Sequence, residues 1–561
     1  MASGRQNDSG ENDILKAYFE KLETPATWSG FPTKPFYGPS DHADLDYRRD
    51  LGDPGEFPYA RGVHADMYRG RLWTRREVCG YGSARDTNQR LRFQLSQGVS
   101  GLSIIDDNNG SLGIDADHPM GIAEAGLQGV SVSSLRDMED LFDGIPIDKV
   151  SVSFDISGLD CIVWMAMYVA AAEKRGIDPA ALRGTVQNDT LHFQFCGYGN
   201  SCPVDLGLKT SVDIIEFCTR RMPLWYTGNA NLYDMRENGL DAAQELAFGL
   251  SLASVYIEKA IERGLAVDDF APRRAFYCSC HMDLFEEVAK LRAARGMWAR
   301  IMRDRFCARS PHSLQFRFGV HTAGCSLYPQ QPLNNAIRIA YEALAAVLAG
   351  AQSIHTCSYD EPIGLPTETS QTLAIRTQQI LAYETGAARV ADPLGGSWYV
   401  ESLTRQLENK ALEIIAEIER RGGMLAAIKS GWILQQLESA AMRRQSEIES
   451  GERIVVGVNA FRTEREKATP GGSHTPVEGQ GETLAAAVRE VRGSRDNRRV
   501  AEALHNLHNQ TLGGERVNLL PSLIEAARTY ATIAEMTGTI RMAYGQPYDP
   551  MGVLASPRLR I

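Results

Sequence analysis

Residues 315–365 read QFRFGVHTAGCSLYPQQPLNNAIRIAYEALAAVLAGAQSIHTCSYDEPIGL. A short apolar run, Phe316–Val320, has the length and composition of a buried strand. A loop carrying His321, Thr322, Gly324 and Ser326 follows it. Apolar residues then recur at helical spacing from Asn334 to Leu348 and stop at Gly350, a helix terminator. A second short run, Ser353–Cys357, ends in polar and acidic residues. Strand, loop, helix, strand is a parallel crossover unit, because strands joined through a helix run the same way. Polar residues crowd the ends of both strands, where a parallel barrel builds its site.

The same alternation extends in both directions. Helix Ala84–Gln97 precedes a strand at Ser100–Ile105, Leu135–Phe142 precedes Lys149–Phe154, and Cys161–Arg175 precedes Gly184–Gln187. Val212–Arg221 precedes Leu224–Gly228, Ala242–Arg263 precedes Arg274–Cys280, and Leu284–Phe306 precedes Gln315–Val320. Helix Leu333–Leu348 precedes Ser353–Cys357, and helix Thr369–Gly386 precedes a weak eighth element near Arg389–Ala391. Eight such units predict an α/β chain built on a (β/α)8 TIM barrel. An extended Pro-, Gly- and Asp-rich arm, residues 1–56 with a short helix at Asn12–Leu22, precedes the barrel at 57–400. The arm reads equally as a leader or as a segment lying on a partner. A helical extension at 401–462, a Pro/Gly/Glu-rich linker at 463–483 and a C-terminal helical region at 484–561 follow.

The 561 residues are 43% hydrophobic and 23% charged, a soluble globular balance. A net charge of −11 argues against a nucleic-acid binder. No apolar run is long enough for a membrane span, and the N-terminus lacks the apolar core of a signal peptide. The expected location is therefore cytoplasmic. The ten cysteines form no CxxC pair and read as reduced, buried thiols, with no metal site expected.

QQPLNNAIRIAYEALAAVLAGAQSIHTCSYDEPIGLPTE and ADPLGGSWYVE at Ala391–Glu401 carry a family resemblance. So do FPYARGVHADMYRGRLWTRRE (Phe57–Glu77), DADHPMG (Asp115–Gly121), GTVQND (Gly184–Asp189) and DDFAPR (Asp268–Arg273). Together they resemble the large subunit of coenzyme-B12-dependent acyl-CoA mutases, of the methylmalonyl-, isobutyryl- or 2-hydroxyisobutyryl-CoA mutase type. The match runs from about Gly55 to Val458 and weakens towards Ile524.

The resemblance implies a radical carbon-skeleton isomerisation on an acyl-CoA threaded along the barrel axis. His64, Met67, Arg71, Thr74 and Arg76 fall where the family contacts acyl-CoA. Cations suit the CoA phosphates. Threading also needs polar residues inside the barrel, and Ser103, Ser153, Thr185, Gln187, Arg273, Arg317 and Ser353 fit that need. Gly324, Glu361 and Gly364 look like the cobalamin contacts. The family's cobalt-ligating DxHxxG signature is absent; Asp117-His118 has the wrong spacing. The lower ligand of adenosylcobalamin is thus expected from a small cobalamin-binding subunit, docked on the C-terminal helices in a heterotetramer.

Several positions depart from the methylmalonyl pattern. Val78 stands in place of a Tyr, and Gly197 in place of the carboxylate-binding Arg. NLYD replaces SGYH, so Asp234 beside Tyr233 replaces the histidine that donates to the thioester carbonyl. Gly319 and His321 replace two polar residues, and Asp106 and Asp107 lie near an acid of hydroxyacyl-specific members. Tyr233, Asp234 and His321 are the candidate catalytic residues; His321 either polarises the carbonyl or pairs with Asp234. The expected substrate is a branched or hydroxyacyl-CoA. The alternatives are methylmalonyl-CoA with an unusual anchor, or a catalytically silent paralogue serving as a scaffold.

Overall fold

The computed structural model describes residues 14–16, 18, 25–196, 202–463 and 477–555. Ten short strands carry the architecture: β1 (Thr74–Arg76), β2 (Val78–Cys79), β3 (Gly101–Ile104), β4 (Ser151–Phe154) and β5 (Gly184–Val186). The others are β6 (Trp225–Tyr226), β7 (Gly228–Asn231), β8 (Arg274–Cys280), β9 (Phe318–Thr322) and β10 (Ser353–His355). They form two parallel sheets, β2-β3-β4-β5-β6 and β1-β10-β9-β8-β7. Only Glu77 separates β1 from β2, and only Thr227 separates β6 from β7. Hydrogen bonds from Ser100 N to Arg75 O (3.0 Å) and from Asn229 N to Gln187 O (3.0 Å) tie the sheets at both junctions. Eight strand positions therefore succeed one another in a ring, in the order of a (β/α)8 barrel.

This corrects two expectations. Arg389–Ala391 forms bends and turns, not an eighth strand. The missing strand lies at the start, in β1 and β2, within the segment that sequence reading took as acyl-CoA contacts without assigning it a strand. Its inward positions carry Thr74 and Arg76 instead of the apolar residues that mark a buried strand.

Helices cover the ring. Ser83 and Asp86 form a capping box on Ala84–Ser96, and Asp241 with Gln244 does the same for Ala242–Glu262. Leu333–Leu348 matches the helix expected there, and Gly350, at φ +82°, turns the chain into β10. Between sheet and helices the core is aromatic on one side. Phe154 lies 5.0 Å from Tyr168, 5.5 Å from Trp164 and 6.0 Å from Trp225, ring centre to ring centre. Cys278 and Cys280 point together into the core on the other side, as their two-residue spacing predicts.

The appended segments pack on this barrel. In the arm, Trp28 N and Ser29 N donate to Asp283 and Glu286 at 3.1 and 3.0 Å, so the described part lies on its own barrel. Most of Asn12–Leu22, and the linker between 464 and 476, lie outside the described residues. Helices Trp398–Arg420, Met424–Lys429 and Trp432–Glu449 share one core with β7–β10. The C-terminal helices, from Gln480–Ser494 to Ile533–Ala543, bury Leu504, Leu507, Leu523 and Ile540 against the β2–β6 side. Lys209 Nζ donates to Val517 O at 2.6 Å, and His118 meets Asp549 at 3.2 Å. The His118 of DADHPMG is thus a buried structural group. No helix among the described residues is long and apolar enough to cross a membrane.

Candidate active site

A cavity of about 490 Å³ runs inside the strand ring. Strand alternation builds its wall: every second residue of a strand faces the axis. Eleven of the predicted CoA contacts line it: His64, Met67, Arg71, Thr74, Arg76, Ser103, Ser153, Thr185, Arg273, Arg317 and Ser353. Val78 and Gln187 lie outside the lining, and Gly197 lies outside the described residues. Arg183, Tyr226, Asn229 and Tyr277 also line it and were not anticipated.

The cavity is polarised along its axis. Arg183, Arg273 and Arg317 sit just before β5, β8 and β9, at the N-terminal rim, with Arg71 and His64 beside them. Tyr226 braces this rim: its hydroxyl accepts from Arg317 at 2.9 Å, and the Arg273 guanidinium lies 5.5 Å from its ring. Burial, together with Arg317, His312 and Arg71, pushes the His64 imidazole down, so it is neutral near pH 7. Arg76 sits deeper, donating to Ser151 Oγ (2.7 Å), Ser353 Oγ (3.2 Å) and Leu102 O. Burial lowers its pKa to about 10, which still leaves it a cation.

Past the strand ends, beyond this lining, the groups turn acidic. Just past β4, Asp155 accepts from Ser103 Oγ at 2.7 Å and Ser153 Oγ at 3.0 Å. Burial pushes its carboxyl up, against the serines and Arg76. Asp234, on the turn Tyr233–Glu237 after β7, accepts on Oδ2 from Asn231 Nδ2 (2.7 Å) and faces His192 Nε2 at 2.9 Å. His192 Nδ1 lies 2.6 Å from the Asp189 carbonyl, and Tyr256 OH and Asn231 N hold the Asp189 carboxylate at 2.8 and 2.7 Å. Burial opposes a charge on His192, but Asp189 and Asp234 outweigh it and raise its pKa to about 10. The partner of Asp234 is therefore the His192 imidazolium. His321 is not its partner, which closes that alternative.

The sign of this shift gives a pH dependence. A histidine raised above its ordinary value stabilises the fold fully below about pH 6.5 and loses that contribution as pH climbs towards 10. The stability gap between the chain and His192→Asn, from urea midpoints, should narrow over that window. A gap that stays constant from pH 6 to 10 would contradict the assignment.

His321, the second-last residue of β9, stacks on Tyr233 at 4.4 Å and meets His355 edge-on at 3.8 Å. Its Nε2 lies 3.5 Å from Cys357 Sγ, whose thiol bonds Thr322 O at 3.1 Å. His355 Nδ1 accepts from Val78 N–H at 2.8 Å, so the neutral ring carries its proton on Nε2. Burial lowers both imidazoles, His355 to about 3. A Cβ on Gly319 would meet nothing closer than 3.5 Å, so the wall there is recessed.

Gly324, Glu361 and Gly364 lie on the loops above β9 and β10. A Cβ on Gly324 would come within 3.3 Å of Glu237 Oε2, 3.4 Å of Tyr233 OH and 3.6 Å of Glu361 Oε1. Three polar side chains thus converge on the space beside Gly324, which a Cβ would narrow. That is a fitting cradle for the amide-fringed edge of a corrin. Glu361 accepts from Ser358 N (3.2 Å) inside a turn; it starts no helix. Burial pushes Glu237 up to about 7, and Cys325 N donates to it at 2.6 Å. All ten cysteines are free, and seven are buried. Cys357 and Cys325 belong to groups of potential ligands, with His321 and His355 and with Glu237 and His281. In the second group Arg444 donates to Cys325 Sγ at 2.9 Å, and its charge opposes a cation.

The methylmalonyl-CoA mutase family model matches residues 26–546. The chain belongs to the methylmalonyl-CoA mutase family. It is 39% identical over 532 residues to the 2-hydroxyisobutanoyl-CoA mutase large subunit of Aquincola tertiaricarbonis, covering 95% of this chain and 94% of that protein. It is 39% identical over 524 residues to methylmalonyl-CoA mutase of Escherichia coli (strain K12), covering 93% and 72%. The mitochondrial methylmalonyl-CoA mutase of Homo sapiens is 35% identical over 522 residues, covering 93% and 68%. Within this family frame, His192 and Asp155 are the residues that sequence reading missed. Asp155 had a signal, since Ser151, Ser153 and Asp155 alternate along one strand face. His192 had only its place three residues after Asp189.

Proposed function

We propose that the chain binds a CoA thioester along the barrel axis and, with adenosylcobalamin, rearranges the carbon skeleton of its acyl group. The observation that carries this reading is the polarised cavity: arginines at the N-terminal rim, small polar residues along the shaft, and Tyr277 and His355 at the far end, with Tyr233, Asp234 and His321 outside the lining itself. Phosphates suit the first end, and the pantetheine amides suit the shaft. When bound above β9 and β10, adenosylcobalamin supplies homolytic chemistry that no side chain can. Gly324, Glu361 and Gly364, with Glu237 and Tyr233, would hold its edge. The protein's own residues orient the acyl group and exclude water. Neutral His321 and the Asp234–His192 pair are placed to position the reacting carbons. Asp234→Asn and His321→Ala should each lower turnover about tenfold or more, with CoA affinity kept. Wild-type rates in both variants would refute these roles.

A relative that the chain covers almost throughout is named a large subunit. That name supports a separate cobalamin-binding subunit in a heterotetramer, with the helices from Leu484 to Met542 as its dock. Gel filtration of the chain with such a subunit and adenosylcobalamin should show a larger complex. Tight cobalamin binding and full turnover without it would overturn the proposal.

A further inference from the structure

A CoA thioester whose phosphates lie at the arginine rim brings one acceptor, its carbonyl oxygen, to the far end of the cavity. That oxygen needs a donor once it leaves water. Most polar groups of the wall have none to give. Ser103 and Ser153 spend their single protons on Asp155, at 2.7 and 3.0 Å. Ser353 Oγ donates to Thr74 O at 3.4 Å, and Thr185 Oγ1 to Val186 O at 3.5 Å. Arg76 is held by Ser151, Ser353 and Leu102. Asp234 accepts from Asn231, and His321 has its Nε2 beside Cys357; both lie outside the lining. Three lining donors have no partner among the described residues: Asn229 Nδ2, His355 Nε2–H and the Tyr277 hydroxyl.

Strand register separates the three. Asn229 pairs with Ala275 on β8, one inward position nearer the arginine rim than Tyr277, so it serves the shaft. His355 is 7% exposed and meets His321 edge-on at 3.8 Å, which leaves its N–H little reach. Tyr277 is only half-buried, and it pairs with Gly319 on β9. A Cβ on Gly319 would lie 3.9 Å from Tyr277 Cδ2, so the phenol ring stands beside a strand that offers no side chain to crowd it. Tyr233 at 5.4 Å and His321 at 6.0 Å, ring centre to ring centre, hold that ring. Burial, with Asp155 and Asp234, pushes the phenol well up, so the hydroxyl keeps its proton. We infer that the Tyr277 hydroxyl donates to the thioester carbonyl of the acyl-CoA and so fixes the reacting acyl group at the strand ends. This rests on the CoA-thioester reading above and adds the residue that grips the carbonyl.

The test is calorimetric titration of the full chain with butyryl-CoA and with S-butyl-CoA, a thioether that lacks only the carbonyl oxygen. The wild type should bind butyryl-CoA about fivefold or more tighter, because the thioether leaves a buried donor unpaired. In Tyr277→Phe, which keeps the ring and its stacking, that ratio should fall to about one while S-butyl-CoA binds as before. Infrared spectra of butyryl-CoA labelled at its carbonyl carbon should show the carbonyl band lowered on the wild type and back at its free position on Tyr277→Phe. A ring that only packs would not move that band. His355→Asn keeps an acceptor for Val78 N–H and should keep the ratio, which supports Tyr277 even if the phenylalanine variant does not fold. A ratio near one in the wild type, a ratio and band unchanged in Tyr277→Phe, or a ratio lost in His355→Asn would overturn the inference. Failure of both CoA compounds to bind would instead overturn the CoA reading beneath it.

Discussion

Methylmalonyl-CoA is expected to turn over at least about a hundredfold more slowly than the acyl-CoA this site is built for. Its second carboxylate would enter the end of the barrel where the strands finish. Two carboxylates, Asp155 and Asp234, already stand there. Val78 is apolar, and Gly197 offers no side chain. Arg76 could anchor the newcomer only by leaving Ser151, Ser353 and Leu102, and His192 only by leaving Asp234. A buried charge without a partner costs about 3–5 kcal/mol, and each 1.36 kcal/mol is about a factor of ten. Assaying methylmalonyl-CoA beside branched and hydroxyacyl-CoA substrates measures the ratio. Comparable kcat/KM values would restore methylmalonyl-CoA as the substrate and make Arg76 its anchor.

Lys290→Met is expected to destabilise the fold by roughly 3–5 kcal/mol, the usual result of removing one partner from a buried ion pair. Lys290 Nζ donates to Glu245 Oε2 and to Ser279 O, each at 2.7 Å, and to Glu287, with all three side chains of the ion group fully buried. Burial opposes its charge, but Glu245 and Glu287 outweigh it and keep the ammonium protonated. Methionine would leave two carboxylates facing each other, with only Arg236 to compensate. The network also fixes the C-terminal end of β8 and Arg236, two residues beyond Asp234, so the loss would loosen the site. Urea unfolding followed by circular dichroism checks it. A change below about 1 kcal/mol would show that these carboxylates are protonated in the native state.

The barrel was legible where its strands are apolar. β8 and the helix Leu333–Leu348 fall where apolar runs and helical periodicity put them. Reading failed where function had replaced the apolar signal. β1 carries Thr74 and Arg76 on its inner face, so a segment read for its acyl-CoA contacts was not read as a strand. The run at Phe316 looked like the start of a strand, yet β9 begins at Phe318, because Gln315 turns aside to bond Val63 O at 3.0 Å. Most of the cavity lining was readable, since polar residues on inward strand positions are unusual. The partner of Asp234 was not: His192 lies 42 residues away, and no local spacing links the two. Of the two alternatives for His321, pairing with Asp234 fails, because its neighbours Tyr233, His355 and Cys357 come from the segments after β7 and at the end of β10.

The most direct test of the account is product analysis of the chain mixed with a cobalamin-binding subunit and given the same acyl-CoA panel, with and without adenosylcobalamin. The account predicts that one hydroxy- or branched acyl-CoA is converted to a skeletal isomer of equal mass, only when the cofactor is present. Binding of CoA thioesters with no cofactor-dependent isomer from any of them would contradict it, and would leave the chain a binding subunit on a mutase fold.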